Sequence, residues 1–395
     1  MRCLIAMVAL WAACDAGTSG HEDLLPRSRC AVAVVASDYR SSSVSLLAAD
    51  GSPCATDVVH SGSRPPGLLT ALSGDLTLPL SPPPAGVDAE VVLIDRYPNG
   101  IISRLDAADD EVIAQVAVAP GFAGNPQDVL RLDAATALVS RLQRDPADAS
   151  AGSDLLVVDW QTGAPHDRIV LDAAADPGFD PMPTRLARTG ADVWVGLAHL
   201  GPRFDAAGAG RVARVDAERR ALDGVVAIEG AHNCGHVAAD PAGRGVWVAC
   251  SGSFAQRGAP QLARSALAWI DARSRAVAWH VSAEDLAGAP LGFSLAALDD
   301  QRALVVAVGD LEAAAPDRLL LVTRATGVAT PLLEAGPFEL GAILVSPEAG
   351  LVLVAVADVE RPRIETLGLV DLVRGRGITG YSRTGLPPRQ LAFFR

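Results

Sequence analysis

One short pattern recurs seven times along this chain, and that recurrence limits the fold more than any other feature. An apolar run ends in Asp, a polar turn follows, and a second apolar run begins. The copies are VSLLAADG (44–51), IISRLDAAD (101–109), LLVVDWQTG (155–163), VARVDAERR (212–220), LAWIDARSR (267–275), LLLVTRATG (319–327) and LGLVDLVRG (367–375). Their marker residues, Asp50, Asp106, Asp159, Asp216, Asp271, Thr323 and Asp371, are separated by 56, 53, 57, 55, 52 and 48 positions. A second string keeps step with the first, from PPGLLTAL (65–72) and NPQDVLRL (125–132) through to PPRQLAFF (387–394). Between the two lies a run rich in Val, Leu and Ile, such as CAVAVVAS (30–37), GVWVAC (245–250) or LVLVAVA (351–357), and a fourth run closes each unit.

Four short runs separated by Gly, Asp and Pro turns predict a four-stranded meander. Such a unit has two apolar faces and cannot bury both alone, so its copies must pack on one another around a ring. The expectation is an all-β fold: a seven-bladed β-propeller with four-stranded antiparallel blades. The phase adds a constraint. The chain enters in the second strand of a blade at Cys30 and ends on a first-strand string, PPRQLAFF, with no successors. The ring is therefore expected to close by the C-terminal strand completing the first blade, which leaves no open sheet edge. The arrangement resembles the YVTN-type seven-bladed propellers and, more loosely, the WD40 propellers. VWVG (193–196) and VWVA (246–249) occupy the corresponding strand, although the YVTN tetrapeptide itself does not occur. The resemblance implies a fold and, because the family is functionally mixed, no particular activity.

The start of the chain reads as an export signal. Arg2 precedes the apolar run Leu4 to Ala13, which is too short for a membrane span. Cys14 follows two small residues, as in the lipobox of bacterial lipoproteins, with Trp11 where that motif usually has Leu. This divides the chain into a signal peptide (1–13), a lipidated Cys14 with its linker (14–29) and a propeller (30–395). It also predicts a lipid-anchored protein of the cell envelope, periplasmic or surface-exposed; ordinary secretion is the alternative. A net charge of −13 argues against nucleic acid as a partner.

Four cysteines remain for an oxidising compartment. Cys234 and Cys250 stand opposite each other around a turn near Ala242 and are expected to pair. Cys30 would then pair with Cys54 by elimination, with a loop bending inward past the intervening strand. A disulfide at Cys234 removes the thiolate from the AHNCGH segment (231–236), so no metal is expected there.

With strands lettered A to D outward from the channel, the C–D and most A–B turns are tight. The B–C and D–A loops, which share the other face, are long. Long loops on a rigid scaffold are where binding usually sits, so that face is expected to be the working surface. Arg96, Arg141 and Arg203 are its candidate anion-binding residues, and Asn125, Gln127, Asp128, Asn233 and His236 should line the channel mouth. The expected function is non-catalytic binding of a protein, peptide or glycan partner by a monomer that needs no cofactor. The alternative is a metal-dependent hydrolase or lactonase at the same mouth, a reading that rests on a resemblance to sugar-lactonase propellers in architecture alone.

Overall fold

The computed structural model describes residues 24–87, 89–372 and 378–395. The expected signal peptide (1–13) and lipidation site, Cys14, lie outside the described residues. Seven four-stranded antiparallel sheets form the ring, each strand hydrogen-bonded to its chain neighbour. The blade that holds Cys30 is blade 1. Its strand A is the last of the chain, Pro388–Phe393, paired with Cys30–Ser37 so that Phe393 faces Val32 and Leu391 faces Val34. The closure expected from the repeat phase is present.

Burial explains why the inner strands read as continuous apolar runs. Gly245–Ser251, strand B of blade 5, is buried at every position, because a neighbouring blade covers each face. Outermost strands have one face in solvent and alternate instead, as in Val112–Ala117 of blade 2. Between blades 5 and 6, Trp247 meets Trp269 and Trp279 edge to face, with ring centroids 5.4 and 5.6 Å apart.

The recurrent Asp has a local cause. Asp159 Oδ1 accepts the backbone N–H of Gln161 and Thr162, Asp216 those of Glu218 and Arg219, and Asp271 those of Arg273 and Ser274. The side chain thus closes the C–D turn that its own strand enters. The same donors hold these carboxyls below the usual carboxylate range. In blade 7 Asp371 lies in a short helix, Leu369–Leu372.

Three expectations are corrected. Strand A of blade 2 is only Leu76–Thr77, not the 65–72 string. That string packs outside, where Val112 N–H donates to the Pro66 carbonyl and Gln115 Oε1 accepts from Leu69 and Thr70. The B–C loop of blade 3 is shorter than expected, because strands Thr136–Arg144 and Gly152–Asp159 extend into it and pair Arg144 with Gly152. The disulfide expected between Cys30 and Cys54 is not formed. Both are buried free thiols in hydrogen-bond contact, and burial together with the Cys30 thiol pushes Cys54 up to about 12. The reason lies in the ladder. Strand C of blade 1, Ser42–Ala48, pairs Ala48 with Cys30 and Leu47 with Pro53. Two strand spacings of about 4.8 Å each exceed the roughly 7 Å that a disulfide spans between Cα atoms. The Cys234–Cys250 bridge is present.

Candidate binding site at the channel mouth

Every blade sends the start of its strand A to one end of the channel, the end that carries the B–C and D–A loops. These segments enclose a cavity of about 520 Å³ whose lining draws on all seven blades. Close backbone approach holds its walls. A Cβ on Gly74 would stand 2.5 Å from the Tyr39 carbonyl carbon, and one on Gly196 would stand 2.2 Å from the Gly235 oxygen. Hydroxyls lace adjacent A strands together: Ser294 Oγ donates to the Gly341 carbonyl at 2.6 Å, and Thr184 Oγ1 donates to that of Gly235.

The floor is basic. Arg185, the third residue of strand A of blade 4 (Pro183–Thr189), is buried. It donates to the Gln127 carbonyl at 2.8 Å, to Thr77 Oγ1 at 3.2 Å and to the Leu78 carbonyl at 3.3 Å. Burial works against its charge, with Asp128 favouring it and Arg96 opposing it. Beside it His236 is only 7% exposed, and its Nδ1 has no hydrogen-bond partner. Burial and the nearby Arg185 push this imidazole well below its usual range, so it is neutral at pH 7. A buried polar atom without a partner costs about 1–3 kcal/mol.

The rim is aromatic. Tyr39 (64% exposed), Phe293 (53%), Phe338 (46%) and Phe204 (40%) all line this one cavity. Phe254 and His236 flank Phe293, with ring centroids 4.8 and 5.2 Å away. Tyr39, Phe204 and Phe338 have φ of 66°, 60° and 61°. Left-handed backbone at a bulky residue costs on the order of 1–3 kcal/mol and collects at functional sites.

The candidate residues read from the sequence divide into two groups. Arg96, Gln127, Asn233 and His236 line the cavity. Arg96 pairs with Asp75 and donates to Gln127 Oε1 at 3.4 Å, and Gln127 Nε2 in turn donates to Asn125 Oδ1 at 2.7 Å. Asn125, Asp128, Arg141 and Arg203 do not line it; Asn125 stands behind Gln127, whose Nε2 donates to its Oδ1. Asp128 is buried behind the wall, where it accepts the backbone N–H groups of Leu80, Val129 and Leu186. These bonds tie blades 2, 3 and 4 together, and burial pushes the carboxyl up to about 6 despite Arg185. Arg141 holds Asp154 in two bonds of 2.7 and 2.6 Å within blade 3. Arg203 is exposed at a loop tip, 3.1 Å from Asp205. A metal site would need free donors, but Asp128 spends its oxygens on backbone N–H groups and Asn125 is tied to Gln127. Among the described residues, no three His, Cys, Asp or Glu side chains converge as a metal site.

Sequence reasoning missed the rim aromatics, Arg185 and Arg389. Tyr39, Phe204 and Phe338 sit in irregular segments with no shared spacing, so only the ring brings them together. Arg185 was within reach, because in its strand-A string it occupies the position that Asp128 holds in NPQDVLRL.

No family model matches this chain, and no curated protein matches it. The resemblance to YVTN-type propellers therefore stops at architecture. Solved structures do match. Kuenenia stuttgartiensis hydrazine synthase superposes with a TM-score of 0.58 at 14% identity, covering 83% of this chain and 91% of that one. The dihydro-heme d1 dehydrogenase NirN, in complex with DHE, gives 0.52 at 15% identity, covering 92% and 75%. BamB from Moraxella catarrhalis gives 0.47 at 14% identity, covering 83% and 77%. The first two show the propeller fold and nothing finer.

Proposed function

We propose that this protein is an exported, lipid-anchored propeller of the cell envelope that binds a partner at the long-loop mouth of its channel and does no chemistry on it. The observation that carries the reading is the convergence of four exposed aromatic residues, three of them in left-handed backbone, on a single cavity. Exposed aromatic surface is costly in water and marks recognition. Further support comes from charge: the arginines beside the mouth are held in pairs or hydrogen-bonded, which suits positioning. The closed ring, which pairs the strand at Cys30–Ser37 on both sides and leaves only the short outer edges of the blades, is consistent with a monomer.

The test is cross-linking in intact cells followed by mass spectrometry, comparing the native chain with a Phe204→Ser/Phe338→Ser variant. Both residues are exposed, so the variant should fold. The expected result is one cross-linked species that the variant loses. Identical cross-links from both chains would end the reading. One equivalent of Ca²⁺ or Zn²⁺ in the purified protein, lost on Asn125→Ala, would replace it with the hydrolase alternative.

A further inference from the structure

We propose that the floor of this mouth is a carboxylate site built on Arg185, and that the ligand is an acid whose carboxylate sits on an aromatic body. This rests on the reading above that the mouth binds.

Three observations point to an anion. Arg185 makes no ion pair among the described residues, and its three hydrogen bonds all go to neutral oxygens. They occupy Nη1 and one N–H of Nη2, so Nε–H and the other Nη2 N–H have no protein acceptor. A carboxylate takes such a guanidinium edge in two parallel bonds. The nearest carboxylate, Asp128, does not serve, because its oxygens accept three backbone N–H groups. The charge of the lining agrees. Arg96, Arg185 and Arg389 face one carboxylate, Asp317, which accepts backbone N–H from Gly309, Phe338 and Leu340. Arg96 is itself paired with Asp75, so Arg185 and Arg389 against Asp317 leave the lining with a net positive charge in a chain of net charge −13.

The second requirement, an aromatic body, comes from what stands over the floor. His236 is buried, neutral and without a partner at Nδ1, on the same wall as Phe293 and Phe254. A flat ring entering between Phe293 and the Arg185 floor would cover the imidazole and stack on the phenyl groups. The cavity, about 520 Å³, is of the size that holds a small organic molecule or one terminal residue. The shared chemistry can come from a free aromatic acid or from a polypeptide ending in an aromatic residue.

The experiment is isothermal titration of the full chain in detergent with five probes: 2-naphthoate, 2-naphthamide, inorganic phosphate, and a tripeptide ending in Phe as its acid and as its amide. 2-Naphthoate or the peptide acid should bind at least tenfold more tightly than its own amide, and the tighter of the two acids names the source. Arg185→Lys keeps the charge but not the bidentate edge and should weaken the acid about tenfold. Phe293→Ala, a change at an exposed position, should weaken it as well without affecting the unfolding midpoint. Equal binding of acid and amide, phosphate binding as tightly as either acid, or acid binding indifferent to both substitutions would each overturn the proposal. Loss of this proposal with the cross-link intact would leave the binding function standing and the ligand class wrong.

Discussion

At the scale of single residues, buried polar groups set how this protein responds to pH. His199 is fully buried, with Nδ1 2.7 Å from the Ala209 carbonyl and Nε2 accepting the Asp176 N–H at 3.0 Å. Those partners fix the neutral tautomer with the proton on Nδ1. Burial lowers the pKa of His199, His232 and His236 alike. In the unfolded chain each takes up a proton near pH 6.5, so below that pH the unfolded state binds more protons and stability falls. Asp128 works the other way. Raised to about 6 when folded, it binds its proton earlier in the native state, which favours folding as pH drops from about 6 towards the unfolded value near 4. Burial raises Asp95 in the same direction, so three histidines oppose two carboxyls, and the urea midpoint should be lower at pH 5 than at pH 7.5. A flat or rising midpoint would show that the histidines are not held neutral.

At the scale of strands and turns, much of the fold was legible because one residue type did one job. Asp at the end of strand C closes its own turn by accepting two N–H groups, a requirement met within four residues and therefore visible in sequence. The links between blades were not legible. Six residues before Asp159, Asp271 and Thr323 stand Ser153, Ser265 and Asp317. Each lies in the first two residues of strand C and accepts a backbone N–H from the next blade, from Met182, Leu291 and Leu340 respectively. Serine and aspartate serve equally there, so no residue pattern shows. The apolar string 65–72 misled for the opposite reason, since it has strand composition but is used to cover an outer edge. The rim aromatics of the mouth were illegible because they belong to different blades, whereas Asn233 and His236 could be placed from their position at the start of a strand. The one disulfide closes a loop with a sequence separation of 16 within a single blade. By chain entropy its loss costs about 3 kcal/mol. The Cys234→Ser/Cys250→Ser variant should therefore unfold several degrees lower in a thermal scan, with the propeller retained at 25 °C.

At the scale of the whole molecule, stability depends on closing the ring. Strand A of blade 1 covers Val32 and Val34 and contributes the buried Leu391 and Ala392. A chain ending before Pro388 leaves the inner edge of Cys30–Ser37 unpaired and exposes apolar surface to solvent. That truncation should appear as aggregate in size-exclusion chromatography, while a control lacking only Arg395 should elute as the native chain does. The C-terminal residue also meets the segment where the described residues begin. Arg395 donates to the carbonyls of Arg27 and Ser28 at 3.1 and 3.0 Å, on the tight-turn side, and Arg27 pairs there with Asp110 of blade 2. On the function proposed above, a leash to Cys14 would join the chain ahead of Leu24, at the side of the ring opposite the aromatic mouth. Any pull between that leash and a captured ligand runs lengthwise down the strands, across ladder bonds set at right angles to it. Those bonds share the load in shear rather than opening one at a time, the stronger arrangement for the tethered, ligand-holding protein proposed above.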